Sequence, residues 1–156
     1  MFNKENILIP FHASSLPDGP WLVFAPHADD ETFGMGGSLL KAKEQGIETH
    51  LVVLTDGSQG GNSADLVATR NREVRQAAVM LGCKSMNCWS EPDRCLDATQ
   101  ATIDKASGVI QDLSPSTVFF PGPLEIHPDH PVICKLESIV GDDEKISMER
   151  THHHWR

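Results

Sequence analysis

The sequence predicts an α/β fold with a mostly parallel sheet and helices on both faces. Three observations predict it. Short apolar runs recur at 21–25, 49–55 and 117–121. Stretches of helical composition separate them. Turn chemistry follows each run, so strands alternate with helices in the order β-α-β-α-β-α-β-α.

Each element has its own warrant. WLVFA (21–25) is short, apolar and followed by polar residues, as a buried strand should be. GGSLLKAKEQ (36–45) has helical composition, with Gly46 placed to stop it. THLVVLT (49–55) is β-branched and apolar, and DGSQGGNS (56–63) is a loop. Residues 64–82 form the best helix, with Leu66, Ala77, Met80 and Leu81 on an apolar face and Gly82 at its end. KSMNCW (84–89) is a short strand, and 97–113 alternates in a helical way. TVFFP (117–121) is a strand, 122–131 a loop, and VICKLESIV (132–140) a last helix. The result is a Rossmann-like three-layer sandwich in one domain over 1–145, with 146–156 as a tail that fits no element. The histidines at 152–154 read as adventitious.

Composition narrows the function. The 156 residues suffice for one domain with a full core, and 39% hydrophobic content is that of an ordinary globular chain. A net charge of −9 disfavours nucleic acid or an anionic membrane as partner. No run approaches a membrane span or a signal-peptide core, so a cytoplasmic protein is expected. Cys83, Cys88, Cys95 and Cys134 form no CxxC and read as free thiols packed as small hydrophobes.

Two segments carry chemistry. PHADDETFG (26–34) follows the first strand, and HPDH (127–130) follows the last of the apolar strands. In a parallel sheet, ligands gather at the carboxyl ends of strands, so segments a hundred residues apart meet at one edge. Adjacent acids at the end of a buried strand are costly unless a cation pairs with them. Imidazoles with a carboxylate suit a catalytic zinc, which commonly takes three protein ligands and leaves one position open. Gly34, Gly36 and Gly37 read as close packing around a metal loop rather than a phosphate cradle. Asp56 either contacts substrate or holds its loop. Asp93 reads as a solvated loop acid, His50 as structural, and Trp21 and Trp89 as packing residues.

Four ordered motifs resemble one family. PHADDETFGMGG is similar to the PHPDDE signature of the PIG-L/LmbE-like zinc N-deacetylases, with Ala28 in place of the usual proline. HPDH resembles the family's second metal motif, LTDGSQGG (54–61) its glycine loop, and Arg70, Glu73 and AAVMLG its following helix. The likeness runs from about residue 21 to 140. It implies one zinc per chain, held by His27, Asp30 and His130. It implies Asp29 as general base for the attacking water, and His127 as donor to the oxyanion or the leaving amine. Asp129 would orient His127, Arg70 would contact the substrate, and Glu31 would support the site or serve as a helix N-terminal charge. Family members usually continue well beyond the HPDH helix, so the C-terminal part is expected to be shortened and an exposed edge to favour a homo-oligomer. The expected activity is removal of an N-acyl group, most often acetyl, from an N-acetylglucosamine-type amino sugar. The alternatives are an amidase acting on a non-sugar amide and a non-catalytic metal-binding relative. A nucleotide-binding domain stands further off, because HADDE replaces a glycine-rich turn.

Overall fold

The computed structural model describes residues 15–122, 125–135 and 147–151. Its elements run β1 (Trp21–Ala25), α1 (Asp30–Glu44), β2 (Thr49–Thr55), α2 (Leu66–Leu81), β3 (Ser85–Glu91), α3 (Gln100–Leu113), β4 (Thr117–Pro121), α4 (Asp129–Cys134) and β5 (Ser147–Thr151). A 3₁₀ turn at Ser58–Gly60 interrupts the β2–α2 loop. The strands form one sheet in the order β3-β2-β1-β4-β5. Every pairing is parallel, with Trp21 opposite both Thr49 and Thr117.

Parallel strands buried on both faces need unbroken apolar runs, and β1, β2 and β4 are buried at every position. Alternation along β1 then divides the core in two. Trp21, Val23 and Ala25 pack with Met35, Leu39, Val74, Ala78 and Leu81 of α1 and α2. Leu22 and Phe24 pack on the other face with Ala106 and Ile110 of α3, Ile133 of α4, and Trp89. This is the three-layer sandwich expected from the alternating pattern. Trp21 and Trp89 are packing residues, and the Phe24 ring stacks on Phe120 at 5.4 Å.

Several boundaries differ from the sequence expectation. α1 starts at Asp30, six residues before position 36, and runs through Gly34, Gly36 and Gly37. Asp30 and Glu31 in its first turn suit the positive end of the helix, which the glycines obscured in the sequence. The apolar face of α2 is Val74, Ala78 and Leu81, whereas Met80 is 71% exposed. Its phase follows from packing against α1 rather than from the count of apolar residues. Gly82 ends α2 in the left-handed conformation, as expected. Thr99 caps α3, its side chain accepting from the Thr102 amide at 3.2 Å.

The region 146–156, expected to fit no element, contributes a fifth strand. The Ser147 amide donates to the Ser116 carbonyl at 2.8 Å, and 147–151 run parallel beside β4. α4 starts three residues earlier than position 132, so HPDH lies at a helix start rather than in an open loop. Positions 136–140 of the expected last helix lie outside the described residues, as do the histidines at 152–154. Cys83, Cys88 and Cys134 are part-buried, but Cys95 is exposed rather than packed.

Strand order reverses at β1, which has β2 on one side and β4 on the other. Chains leaving β1 and β4 diverge to opposite faces there, which opens a crevice at the carboxyl ends of the two strands. The two histidine- and aspartate-rich segments leave the sheet at this point.

Candidate metal centre

The end of β1 is tied down before the motif begins. The Thr55 amide and hydroxyl both donate to the Pro26 carbonyl, at 3.0 and 2.9 Å. His27 then turns inward and is 8% exposed. Its amide donates to Asp30 Oδ2 at 2.9 Å, and its ring Nδ1 lies 3.2 Å from the same oxygen. From the other segment, His130 Nε2 approaches Asp30 Oδ2 to 3.4 Å. One carboxylate oxygen therefore faces two ring nitrogens drawn from opposite ends of the chain.

The far side of each ring is also held by a carboxylate. His27 Nε2 lies 3.0 Å from Asp129 Oδ2, and His130 Nδ1 lies 2.7 Å from Glu125 Oε2. Such partners select the tautomer and leave the opposite nitrogen's lone pair facing the cavity. Asp129 is itself fixed, with Oδ2 accepting from the Arg94 amide at 2.9 Å and Oδ1 from the Leu96 amide at 3.2 Å. Asp129 also meets His127, its amide donating to the ring Nδ1 at 3.4 Å. The Asp129 carboxylate lies 3.8 Å from His127 Nδ1, beyond hydrogen-bond reach, so the ring it bonds is that of His27.

His127 stands across from His27, ring centroids 4.3 Å apart and nearly perpendicular. Nitrogens of His27, His127 and His130 all lie within 4.8 Å of one another, and a second group joins His27, Asp93, His127 and Asp129. Asp129 is already committed to amides and His27, whereas Asp30 points one oxygen between two rings. His27, Asp30 and His130 are thus one set of residues in this cluster that could hold a metal ion.

Charge distribution agrees. Burial pushes the His27 and His130 rings toward lower pKa, but hydrogen bonding and charge from Asp30 outweigh it and hold both above the usual value. Burial would raise Asp30, yet hydrogen bonds from His130 and His27 hold its carboxyl well below the ordinary range. Burial and the charge of His27 push His127 down, against a smaller upward pull from Asp129. A cluster that would otherwise draw in protons is a cluster ready for a cation.

A cavity of about 270 Å³ opens over these groups, lined by His27, Asp29, Asp30, Arg70, Arg94 and His127 among others. All seven residues singled out from sequence thus lie at one sheet edge, six lining the cavity and Asp129 behind His27. Asp29 is exposed at its rim, at the N-cap of α1. Arg70 reaches it by lying against the glycine loop. A Cβ on Gly57 would come within 2.9 Å of Arg70 Cδ, and one on Gly60 would overlap the guanidinium. Asp56 holds this loop, accepting from the Ser58 amide at 2.9 Å and the Asp93 amide at 3.3 Å.

Three residues behave otherwise than the sequence suggested. Glu31, in the first turn of α1 beside Asp30, is buried rather than a solvated helix-end charge. It is 2% exposed, burial pushes its carboxyl up, and its Oε2 has no hydrogen-bond partner among the described residues. Asp93 is buried, with Oδ2 accepting from the Gln59 amide at 3.0 Å and Oδ1 lying 3.3 Å from His27 Nε2. Glu125 escaped notice altogether, because a lone acid five residues before His130 carries no local pattern. His50 is structural as expected, bridging Ser85 and Glu48.

Comparison with known proteins accords with this geometry. Residues 22–138 match the PIG-L family, described as GlcNAc-PI de-N-acetylase. The chain belongs to the PIG-L family. Its relatives include the diacetylchitobiose deacetylase of Thermococcus kodakarensis, 32% identical over 70% of this chain and 44% of the relative. A probable N-acetyl-α-D-glucosaminyl L-malate deacetylase 2 of Bacillus anthracis is 31% identical, over 70% of this chain and 53% of the relative. The chain thus spans about half the length of these curated relatives. Among solved structures, the N,N′-diacetylchitobiose deacetylase of Pyrococcus horikoshii superposes with a TM-score of 0.73 at 30% identity, covering 78% of this chain and 49% of that one. Within this PIG-L chain, no helix among the described residues is long and apolar enough to cross a membrane.

Proposed function

We propose that this PIG-L chain is a zinc-dependent hydrolase that removes an N-acyl group, most often acetyl, from an N-acetylglucosamine-type amino sugar or glycoside. One observation carries the reading. His27, Asp30 and His130 converge at a cavity whose lining also holds an exposed carboxylate, Asp29, and a histidine, His127. The named activities of the relatives support the substrate class.

Zinc held by His27, Asp30 and His130 would supply Lewis-acid polarisation of the amide carbonyl and acidify water. The chain's own residues do the rest. Asp29, exposed at the rim beside a ligand residue, accepts the proton from the attacking water. His127 faces the same space from the opposite segment and donates to the oxyanion or the departing amine. Arg70, lodged against the glycine loop, hydrogen-bonds polar groups of the sugar. Asp129 and Glu125 hold the two ligand rings in place. The cavity of about 270 Å³ is small for a ligand site and suits a single sugar ring with its acyl group.

The test is acetate release from a panel of N-acetylglucosamine glycosides, set beside acetanilide and other non-sugar acetamides. Release confined to the sugars is expected. Release only from non-sugar amides would move the chain to the amidase reading, and metal binding with no release from any substrate would support a non-catalytic relative.

A further inference from the structure

The geometry points to Arg94 as the residue that reads an anionic group on the substrate, a carboxylate or a phosphate ester carried by the sugar or its aglycone. This rests on the proposed function for the substrate's sugar part, and on separate observations for the anion.

The first observation is backbone conformation. Arg94 sits at φ 62°, in the left-handed region that strains a side chain and that glycine adopts freely. Such conformations persist where the surroundings over-determine them, and they cluster at functional sites. Here the surroundings are visible. The Arg94 amide is spent on Asp129 Oδ2 at 2.9 Å, and the Cys95 amide closes the turn on the Pro92 carbonyl at 3.2 Å. Asp129 in turn holds His27. The root of the Arg94 side chain is therefore pinned to the same carboxylate that positions the metal centre, and the residue lines the cavity.

The second observation is charge. Arg70 and Arg94 both line the cavity, and among the described residues neither takes part in an ion pair. That is unexpected in a chain with 22 acidic against 13 basic side chains. Asp29 stands exposed at the rim, and the other acids in and behind the cavity are already engaged. Asp30 serves His27 and His130, Asp93 serves the Gln59 amide and His27, and Asp129 serves His27 and two amides. Arg70 and Arg94, with five donors each, thus border the space a substrate would fill without an ion-pair partner among the described residues. Guanidinium recognises carboxylate and phosphate through paired, charge-assisted hydrogen bonds. A neutral sugar would leave that capacity unused.

The experiment is calorimetric binding to the full, metal-loaded chain in an Asp29→Asn background, which blocks turnover and keeps ligands intact. The ligands are N-acetylglucosamine, its 6-phosphate, and N-acetylmuramic acid, which carries a carboxylate. At low salt, at least one anionic ligand should bind about 10-fold or more tightly than the neutral sugar, with the advantage shrinking as salt is added. Which of the two gains separates phosphate from carboxylate. Arg94→Gly removes the guanidinium and relieves the backbone, so it folds; it should bring the anionic-to-neutral ratio close to one. Arg94→Lys should keep part of the ratio. A wild-type ratio near one for both anions overturns the inference, and so does a wild-type ratio that survives in Arg94→Gly. Acetate release by the otherwise unaltered chain is scored separately. No release from any sugar sinks the proposed function while an Arg94-dependent ratio stands, and release with a ratio of one sinks this inference alone.

Discussion

His27 illustrates how one side chain joins two distant segments. Its Nδ1 side faces Asp30, three residues on, and its Nε2 side faces Asp129, 102 residues away. Asp129 is only 1% exposed, so it acts from behind the ring and not on substrate. Asp129→Asn and Glu125→Gln should therefore each weaken zinc affinity by about 10- to 100-fold, measured by competition with a chromogenic chelator. Unchanged affinity in both would remove the two carboxylates from the description of the site. Asp29 should behave in the opposite way, since it sits exposed at the N-cap position of α1 with no capping hydrogen bond from its side chain. The His-Asp pattern of the two motifs was legible because each is local and polar after an apolar strand. The partners of those residues were not. Asp93 lies in a segment that resembles the family's P-D-G-like one but reads more readily as a solvated loop acid, and its partner, the Gln59 amide, comes from another loop.

At the scale of elements, the loop at 56–63 and the helix after it form a single device. Gly57 adopts φ 64°, and both Gly57 and Gly60 leave room for Arg70. Gly57→Ala should destabilise the fold by about 1 kcal/mol and displace Arg70, read as a lower thermal midpoint together with weaker sugar binding. Gly82→Ala is the control for the backbone effect alone. Gly82 has φ 85° and a Cβ there would press on the Lys43 side chain, so stability should fall by about 1 kcal/mol without a change in sugar affinity. Strands were the most legible elements, because burial on both faces requires unbroken apolar runs such as THLVVLT. α1 was the least legible at its start. Glycines that lower helix propensity lie inside it, and only its placement between β1 and α2 makes the helix worth forming there. β5 was missed because SMERT has neither an apolar run nor clean alternation, and its pairing with β4 is set by the sheet rather than by its own residues.

For the whole molecule, strand order decides where chemistry sits. β1 lies between β2 and β4, and the segments leaving β1 and β4 meet in the crevice between them. The site is a compact store of charge, which gives a pH signature for the metal-free protein. His27 and His130 are held above their ordinary value of 6.5, so their stabilising contribution is complete below 6.5 and is lost as pH rises through the folded values. Asp30 is held below its ordinary 3.8, so its contribution is present above 3.8 and is lost as pH falls through its folded value. His127 is shifted down and offsets part of the histidine effect. The thermal midpoint of metal-free protein should therefore fall as pH rises above 6.5, while the rise on adding zinc should grow in the same direction, because protons compete with metal for the rings. A rise that is flat with pH would place the metal elsewhere.

The most direct measurement is metal content together with acetate release, on the wild-type chain and on Asp29→Ala, with N-acetylglucosamine glycosides as substrates. The expected result is about one zinc per chain in both proteins, with acetate released by the wild type and turnover at least about 100-fold lower in the variant. A wild-type chain that takes up no zinc, or an Asp29→Ala chain that turns over as fast as the wild type, would contradict it.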